Sequence, residues 1–320
     1  MPLSSENDFL ALIDRHFPAD HPHLRLGRGD DCAVITCPPE MCVTTDLFLE
    51  DVHFRRSYFS AADVGHKALA VNLSDVSAMG ARPLGFSLGL TIPAGLPDAW
   101  WEEMFSGMAG LAGEAGVALT GGDLSAGGKV GLCLTVWGAP PPGGRFLRRR
   151  QGLPGDVLFL VGEVGLARTG LHLLEAGAEA SAYPASKAAH LRPGLHLGAA
   201  LALSTAPGVR GLMDVSDGLA MDLPRFLAPG TGADLRLAPA DLHPEIVAYT
   251  TAHGRDPVRW AVRGGEDYAL LGACAPDAWP ELAATLPGAR AIGAVTSCPG
   301  LFLSGRPLDL AGFDHFAPHD

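Results

Sequence analysis

The chain is poor in lysine. Lys67, Lys129 and Lys187 are the only three in 320 residues, and the formal net charge is −12. So little positive charge leaves no electrostatic footprint for nucleic acid, and no nucleic-acid partner is expected. The excess of arginine over lysine, with abundant Ala, Gly, Leu and Pro, reflects a GC-rich genome more simply than a function. Aromatic residues are also scarce, at 7%, yet 48% of the chain is hydrophobic. That is ample for a packed core and excludes disorder. No run of about 18 apolar residues escapes a charge or a Pro/Gly break, so no membrane span is expected. The first helix-forming stretch carries Glu6, Asp8 and Asp14 and lacks the basic start of a secretory leader. None of the six cysteines forms a Cys-x-x-Cys pair, which argues against zinc or thioredoxin-type chemistry. They read as small buried hydrophobes of a reduced, cytoplasmic protein.

Several nucleotide-binding and catalytic motifs are missing as well. Gly128-Lys129 is followed by Val130, so there is no Walker A loop. Gly27 and Gly29 lack the third glycine of a dinucleotide fingerprint. No kinase-type His-Arg-Asp or Asp-Phe-Gly occurs. Gly85-Phe86-Ser87-Leu88-Gly89 fits the hydrolase elbow pattern, but it lies inside an unbroken strand pattern.

What is present is a series of α and β elements without strict alternation. Ser5 caps a first helix with Phe9, Leu12 and Ile13 inward. Residues 32–37 and 41–48 read as strands joined at Pro38-Pro39, and 61–79 as a helix ended by Gly80. Strands are expected at 84–92, 117–120 and 130–137, and a helix at 98–115. The Pro/Gly-rich stretch 139–144 reads as a linker between domains 1–140 and 150–320. The second half mixes strands at 157–161, 211–215, 235–237, 268–274 and 291–295 with helices, and 175–190 reads as a surface connection. The fold class is α/β, mixed α+β.

Five aspartate motifs stand out: Gly29-Asp30-Asp31, Thr44-Thr45-Asp46, Leu73-Ser74-Asp75, Gly121-Gly122-Asp123 and Asp214-Val215-Ser216-Asp217-Gly218. Each reads as turn-like. Any one is most simply an Asx-turn or helix cap. Brought together, they would repel, at roughly 4 kcal/mol per pair about 4 Å apart at an effective dielectric of 20. A hard divalent cation such as Mg²⁺, Ca²⁺ or Mn²⁺ would relieve that repulsion.

The segments His66-Lys67-Ala68-Leu69-Ala70-Val71-Asn72-Leu73-Ser74-Asp75, His190-Leu191-Arg192-Pro193 and Gly264-Gly265-Glu266-Asp267-Tyr268 add a resemblance. With His53 and the terminal Phe313-Asp314-His315-Phe316, they resemble the thiamine-monophosphate kinase family. That family shares a superfamily with aminoimidazole ribonucleotide synthetase and selenophosphate synthetase. The resemblance implies two α/β domains of the synthetase-like fold, the N-terminal ones pairing in a homodimer and the C-terminal one completing the ATP and substrate site. It implies ATP-dependent phosphorylation of thiamine monophosphate to thiamine diphosphate, with several Mg²⁺ ions. Asp31, Thr44, Thr45, Asp46, Asp75, Asp123, Asp214 and Asp217 match the metal ligands. Gly122, Arg149 and Ser216 match the ATP contacts, and His53, Glu266 and Phe313 the substrate contacts.

Two departures matter. Leu124-Ser125-Ala126 follows Gly-Gly-Asp where the family usually has Thr-Thr-Arg or similar, so Arg148, Arg149 or Arg150 is expected to supply the charge. Asp51 adds an acid near His53 that would raise its pKa. The alternatives are another synthetase of the superfamily, or a non-catalytic nucleotide-binding protein on the same scaffold. Selenophosphate synthetase would want a reactive cysteine upstream of Asp30-Asp31, and no cysteine precedes Cys32.

Overall fold

The computed structural model describes residues 3, 5–177 and 181–308. The chain divides into two compact units, Met1–Val76 with Ala81–Pro140, and Ser77–Gly80 with Pro141–Asp320. Among the described residues no helix is long and apolar enough to cross a membrane.

The first unit contains α1 (Glu6–His16), β1 (Leu24–Leu26), β2 (Val34–Ile35), β3 (Cys42–Leu49), α2 (Ala61–Ala78), β4 (Arg82–Ile92), α3 (Asp98–Ala115), β5 (Ala118–Ala126) and β6 (Gly131–Ala139). The start of α1 is fixed by a reciprocal cap. Ser5 Oγ accepts from the Asp8 N–H at 3.3 Å and Asp8 Oδ2 accepts from the Ser5 N–H at 2.9 Å. Phe9, Leu12 and Ile13 share its buried face, and Phe9 meets Trp101 of α3 edge-on at 5.3 Å.

Helices α2 and α3 touch backbone to backbone. A Cβ at Gly65 would lie 1.9 Å from the Met104 carbonyl oxygen, and one at Gly107 would lie 2.1 Å from that of Ala62. Gly80, at φ +68°, ends α2 in the left-handed conformation that glycine tolerates.

The four strands run in the order β3-β6-β4-β5, with β4 and β5 parallel and the other pairs antiparallel. Side chains alternate between faces. Phe48, Leu132, Leu134, Val136, Phe86, Leu88 and Leu90 are buried on one face. The other face is open, with Val43 61% and Leu47 55% exposed beside half-buried Thr135 and Trp137.

The second unit contains β7 (Val157–Val161), α4 (Leu166–Glu175), α5 (Pro184–Leu191), α6 (Leu197–Thr205), β8 (Val209–Val215), α7 (Leu219–Phe226), β9 (Gly232–Leu235), α8 (Pro244–Ala252), α9 (Pro257–Val262), β10 (Ala269–Cys274), α10 (Trp279–Thr285), β11 (Ala289–Thr296), β12 (Gly300–Leu303) and β13 (Arg306–Pro307). They build a seven-stranded sheet, β13-β12-β9-β11-β7-β10-β8. Its central strands are apolar on both faces. Leu158 and Leu160 of β7 join one core with Val215 and Leu271, while Phe159 and Val161 join another with Leu212 and Leu270. A strand covered on both sides reads as a continuous apolar run. The mixed α/β architecture expected from the sequence is the one observed.

Some local expectations were wrong. Residues 32–37 do not form a strand paired across Pro38-Pro39. Val34–Ile35 pairs with β1 in a separate two-stranded sheet. The supposed surface connection at 175–190 contains α5, whose Ser186, Lys187 and His190 are buried. Cys32, Cys37 and Cys298 are exposed rather than buried. Asp46, Asp75 and Asp214 lie in the strand, helix and strand expected for those stretches. Asp123, expected beyond the strand at 117–120, lies inside β5, because pairing with β4 carries the strand on through Gly121-Gly122.

Candidate active site

In the first unit β3 and α2 bring three oxygen-bearing side chains together. Thr44 and Asp46, two apart on β3, point to the same face. Thr44 Oγ1 donates to Asp75 Oδ2 at 2.6 Å. Partial burial, and then the charge of Asp75, push the Asp46 carboxyl above its usual range. Asp75 sits in the last turn of α2, which holds no basic residue, so its charge also opposes the helix dipole. Two mutually repelling carboxylates and a hydroxyl are an all-oxygen donor set suited to a hard cation.

The other predicted ligands of this unit lie elsewhere. Thr45 points to the open face and shares a hydrogen bond with Thr135 at 2.8 Å. Asp123 is opposite Gly89 on β5, the far edge from β3. Three strand spacings separate those edges, about 14 Å. Asp31 is exposed, and its N–H donates to Asp30 Oδ1 at 2.8 Å. Among the described residues no three His, Cys, Asp or Glu side chains form one metal-holding group. Magnesium seldom requires such a cage, since one or two carboxylates with substrate phosphates and water commonly complete its shell. The residues present therefore fit the ion.

Gly122 is held by geometry. A Cβ there would lie 1.8 Å from the Leu88 carbonyl oxygen, at a bulge where Thr120 Oγ1 donates to the Phe86 carbonyl at 3.1 Å. His53 follows β3, and its Nδ1 accepts from the Leu49 N–H at 3.0 Å. In the neutral ring the proton is then on Nε2. The ring stacks on Phe48 at 5.8 Å. Asp51, at φ +66°, pairs with Lys129 at 2.8 Å, and that contact holds its carboxyl below the usual range. Its charge is met by Lys129.

In the second unit two motifs far apart in sequence are laced together. The Glu266 N–H donates to the Ser216 carbonyl at 2.6 Å. A Cβ at Gly265 would lie 2.8 Å from that same oxygen, and one at Gly218 would lie 2.6 Å from the Gly264 carbonyl. Glycine is required at both positions. Glu266 has φ +62°, a strained value for a non-glycine residue. Its Oε2 lies 3.1 Å from Nδ1 of His190, which is 2% exposed.

Asp214 is buried on β8, opposite Leu270 of β10. Asp217 does not cap α7, as a plain reading of Ser-Asp-Gly suggests. Its carboxylate takes Arg225, and its N–H donates to Asp222 Oδ2 at 3.0 Å. Burial raises Asp222 to about 6 despite Arg225 at 3.2 Å. Arg149 is exposed in a segment that runs beside β8 and α7. A Cβ at Gly211 would meet the Arg148 carbonyl at 2.3 Å, and the Arg150 N–H donates to the Phe226 carbonyl at 2.7 Å. Phe313 lies outside the described residues. Two open depressions on this unit, of about 620 and 570 Å³, contain none of the predicted residues.

The sequence reading gave no role to His190, Asp222, Arg225 or Asp267. His190 lay within a quoted motif, and Asp222 and Arg225 show three-residue spacing on a helix. Asp267 accepts from the Gly165 and Ala167 N–H groups at 2.6 and 2.9 Å, and burial pushes it up to about 7.

Residues 29–139 match the family described as AIR synthase related protein, N-terminal domain. The fold and the carboxylate-bearing sheet thus define a protein of the AIR synthase-related class. A thiamine-monophosphate kinase of Mycobacterium tuberculosis is 36% identical over 272 residues, 82% of this chain and 80% of that protein. The thiamine-monophosphate kinase structure from Stenotrophomonas maltophilia K279a superposes with a TM-score of 0.81 at 29% identity, covering 96% of this chain and 99% of that one. A structure of AaThiL complexed with AMPPCP and TMP gives a TM-score of 0.77 at 28% identity, covering 97% of each chain. The chain belongs to the thiamine-monophosphate kinase family.

Proposed function

We propose that this protein transfers the γ-phosphoryl group of ATP to thiamine monophosphate, giving thiamine diphosphate. The carrying observation is the Thr44, Asp46 and Asp75 group within a family whose relative binds AMPPCP and TMP. The direct test is ATP consumption with and without thiamine monophosphate. ADP formation that ignores the acceptor would sink the reading.

Asp46 and Asp75 would hold Mg²⁺, with Asp31, Thr45, Asp123, Asp214 and Asp217 as further candidates, and the ion would supply neutralisation of phosphate charge. Both reactants are anionic, so positioning and neutralisation are the main tasks. Arg149 offers phosphate a planar fork of donors. Gly122 and Ser216 complete the ATP contacts. The acceptor phosphate has a second pKa of about 6, so it is largely ionised at neutral pH and needs no general base. Transfer is therefore direct and in-line, and retention of configuration at a chiral γ-phosphorus would disprove it.

His53 offers Nε2–H as a neutral donor to the acceptor. Glu266, oriented by buried His190, meets a polar or cationic part of thiamine, and Phe313 is a further candidate for substrate binding. Glu266→Gln is expected to raise KM for thiamine monophosphate about tenfold while kcat stays within a few-fold, as for loss of one charge-assisted contact. A changed KM for ATP with the acceptor KM untouched would refute that role.

The open face bearing Val43, Leu47 and Trp137 supports pairing of the N-terminal units in a homodimer. A monomer in sedimentation equilibrium at micromolar concentration would exclude it. Six free cysteines fit a reducing cytoplasm.

A further inference from the structure

Trp260 of α9 is 4% exposed, and its indole N–H donates to Thr169 Oγ1 at 2.9 Å, which fixes the ring. Two guanidinium groups lie against it. Arg168 of α4 is 4.1 Å from the ring centroid, and Arg255, beyond the end of α8, is 4.9 Å away. His172, one turn after Arg168, meets the same ring at 4.9 Å. His253 stacks on Tyr249, itself 5.6 Å from Trp260.

A ring quadrupole attracts each cation but does nothing to stop the cations repelling each other. Among the described residues neither Arg168 nor Arg255 makes an ion pair. The Arg168 guanidinium has one hydrogen bond there, to the Trp260 carbonyl at a long 3.4 Å. The nearby carboxylate, Asp267, is already engaged by two backbone N–H groups of α4. Burial, and then the charges of Arg255 and Arg263, hold the Arg168 pKa below its ordinary value. In a chain of net charge −12, this gathering of positive charge is local, and among the described residues no carboxylate pairs with Arg168 or Arg255.

We propose that Arg168 and Arg255, seated on Trp260, form a binding site for a small phosphate oxyanion, either free diphosphate or the phosphate of an ester. Planar guanidinium forks match phosphate oxygens bidentately. Phosphate also brings close to two negative charges and three acceptor oxygens at neutral pH, where a carboxylate brings one charge. The site needs no divalent ion, so it stands or falls separately from the kinase reading.

The experiment uses the full chain in EDTA, which removes metal-dependent phosphate binding. Calorimetric titrations are run with inorganic diphosphate in one arm and glycerol phosphate in the other. Saturable binding is expected in at least one arm, with a matching rise in Tm by linkage. Arg255→Ala, at an exposed position, is expected to weaken it about tenfold. Arg259→Ala removes an exposed arginine of α9 that is not stacked on the ring, and affinity should stay within about twofold. Binding of diphosphate alone identifies a free oligophosphate ligand, and equal binding of the ester identifies its phosphate group. Absence of saturable binding in both arms, or equal losses in Arg255→Ala and Arg259→Ala, overturns the proposal.

Discussion

Asp75→Asn is expected to lower kcat/KM at least about a hundredfold, the scale of several kcal/mol of lost metal-mediated stabilisation. The fold should survive and gain slightly. Asp75 repels Asp46 and opposes the end of α2, so neutralising it removes two unfavourable interactions. The dipole part alone amounts to about 0.3–1 kcal/mol. Asn keeps a carbonyl oxygen for the Thr44 hydroxyl. Melting should therefore show two differences from the parent. In metal-free buffer the Asn variant has an equal or higher Tm, and with MgATP it loses the ligand-induced rise. Normal turnover with Mg²⁺, or a marked drop of Tm without it, would remove the metal role from Asp75.

The second large effect concerns stability. In an exposed helix interior, Gly→Ala gains roughly 1 kcal/mol. Gly113 of α3 has no atom within 4 Å of a built Cβ, and Gly113→Ala should behave that way. Gly65→Ala and Gly107→Ala should do the opposite, costing about 2–3 kcal/mol each by overpacking. The atoms in the way, the carbonyls of Met104 and Ala62, are helix backbone and have little freedom to move. Urea unfolding of the three variants decides the matter. A stabilised Gly65→Ala would mean that α2 and α3 stand further apart than described. Because α2 carries Asp75, separating these helices should also reduce activity.

Much of the fold was legible in the sequence because its elements are long and periodic. The stretch 98–115 shows apolar residues at helical spacing and is α3. The run 157–161 is continuously apolar and is the central strand β7. The short elements were not legible. Strand β1, helix α9 and strands β12 and β13 each have six residues or fewer, too few for a period to emerge. Among the aspartates, the strand and helix positions of Asp46, Asp75 and Asp214 were legible, but that of Asp123 was not. Gly121-Gly122 carries every local sign of a turn, yet it lies in β5, because glycine there admits the close approach of Leu88. The contact of His190 with Glu266 could not be read either, since only the folded chain brings residues 76 positions apart together.

The lacing of Ser216 to Glu266 has a thermodynamic consequence. If Ser216 serves the nucleotide and Glu266 the vitamin, the hydrogen bond between their backbones gives both ligands one shared segment to immobilise. Whichever arrives first bears the ordering entropy, and the other then binds to a stiffened partner. Affinity for each should rise in the presence of the other by the same factor.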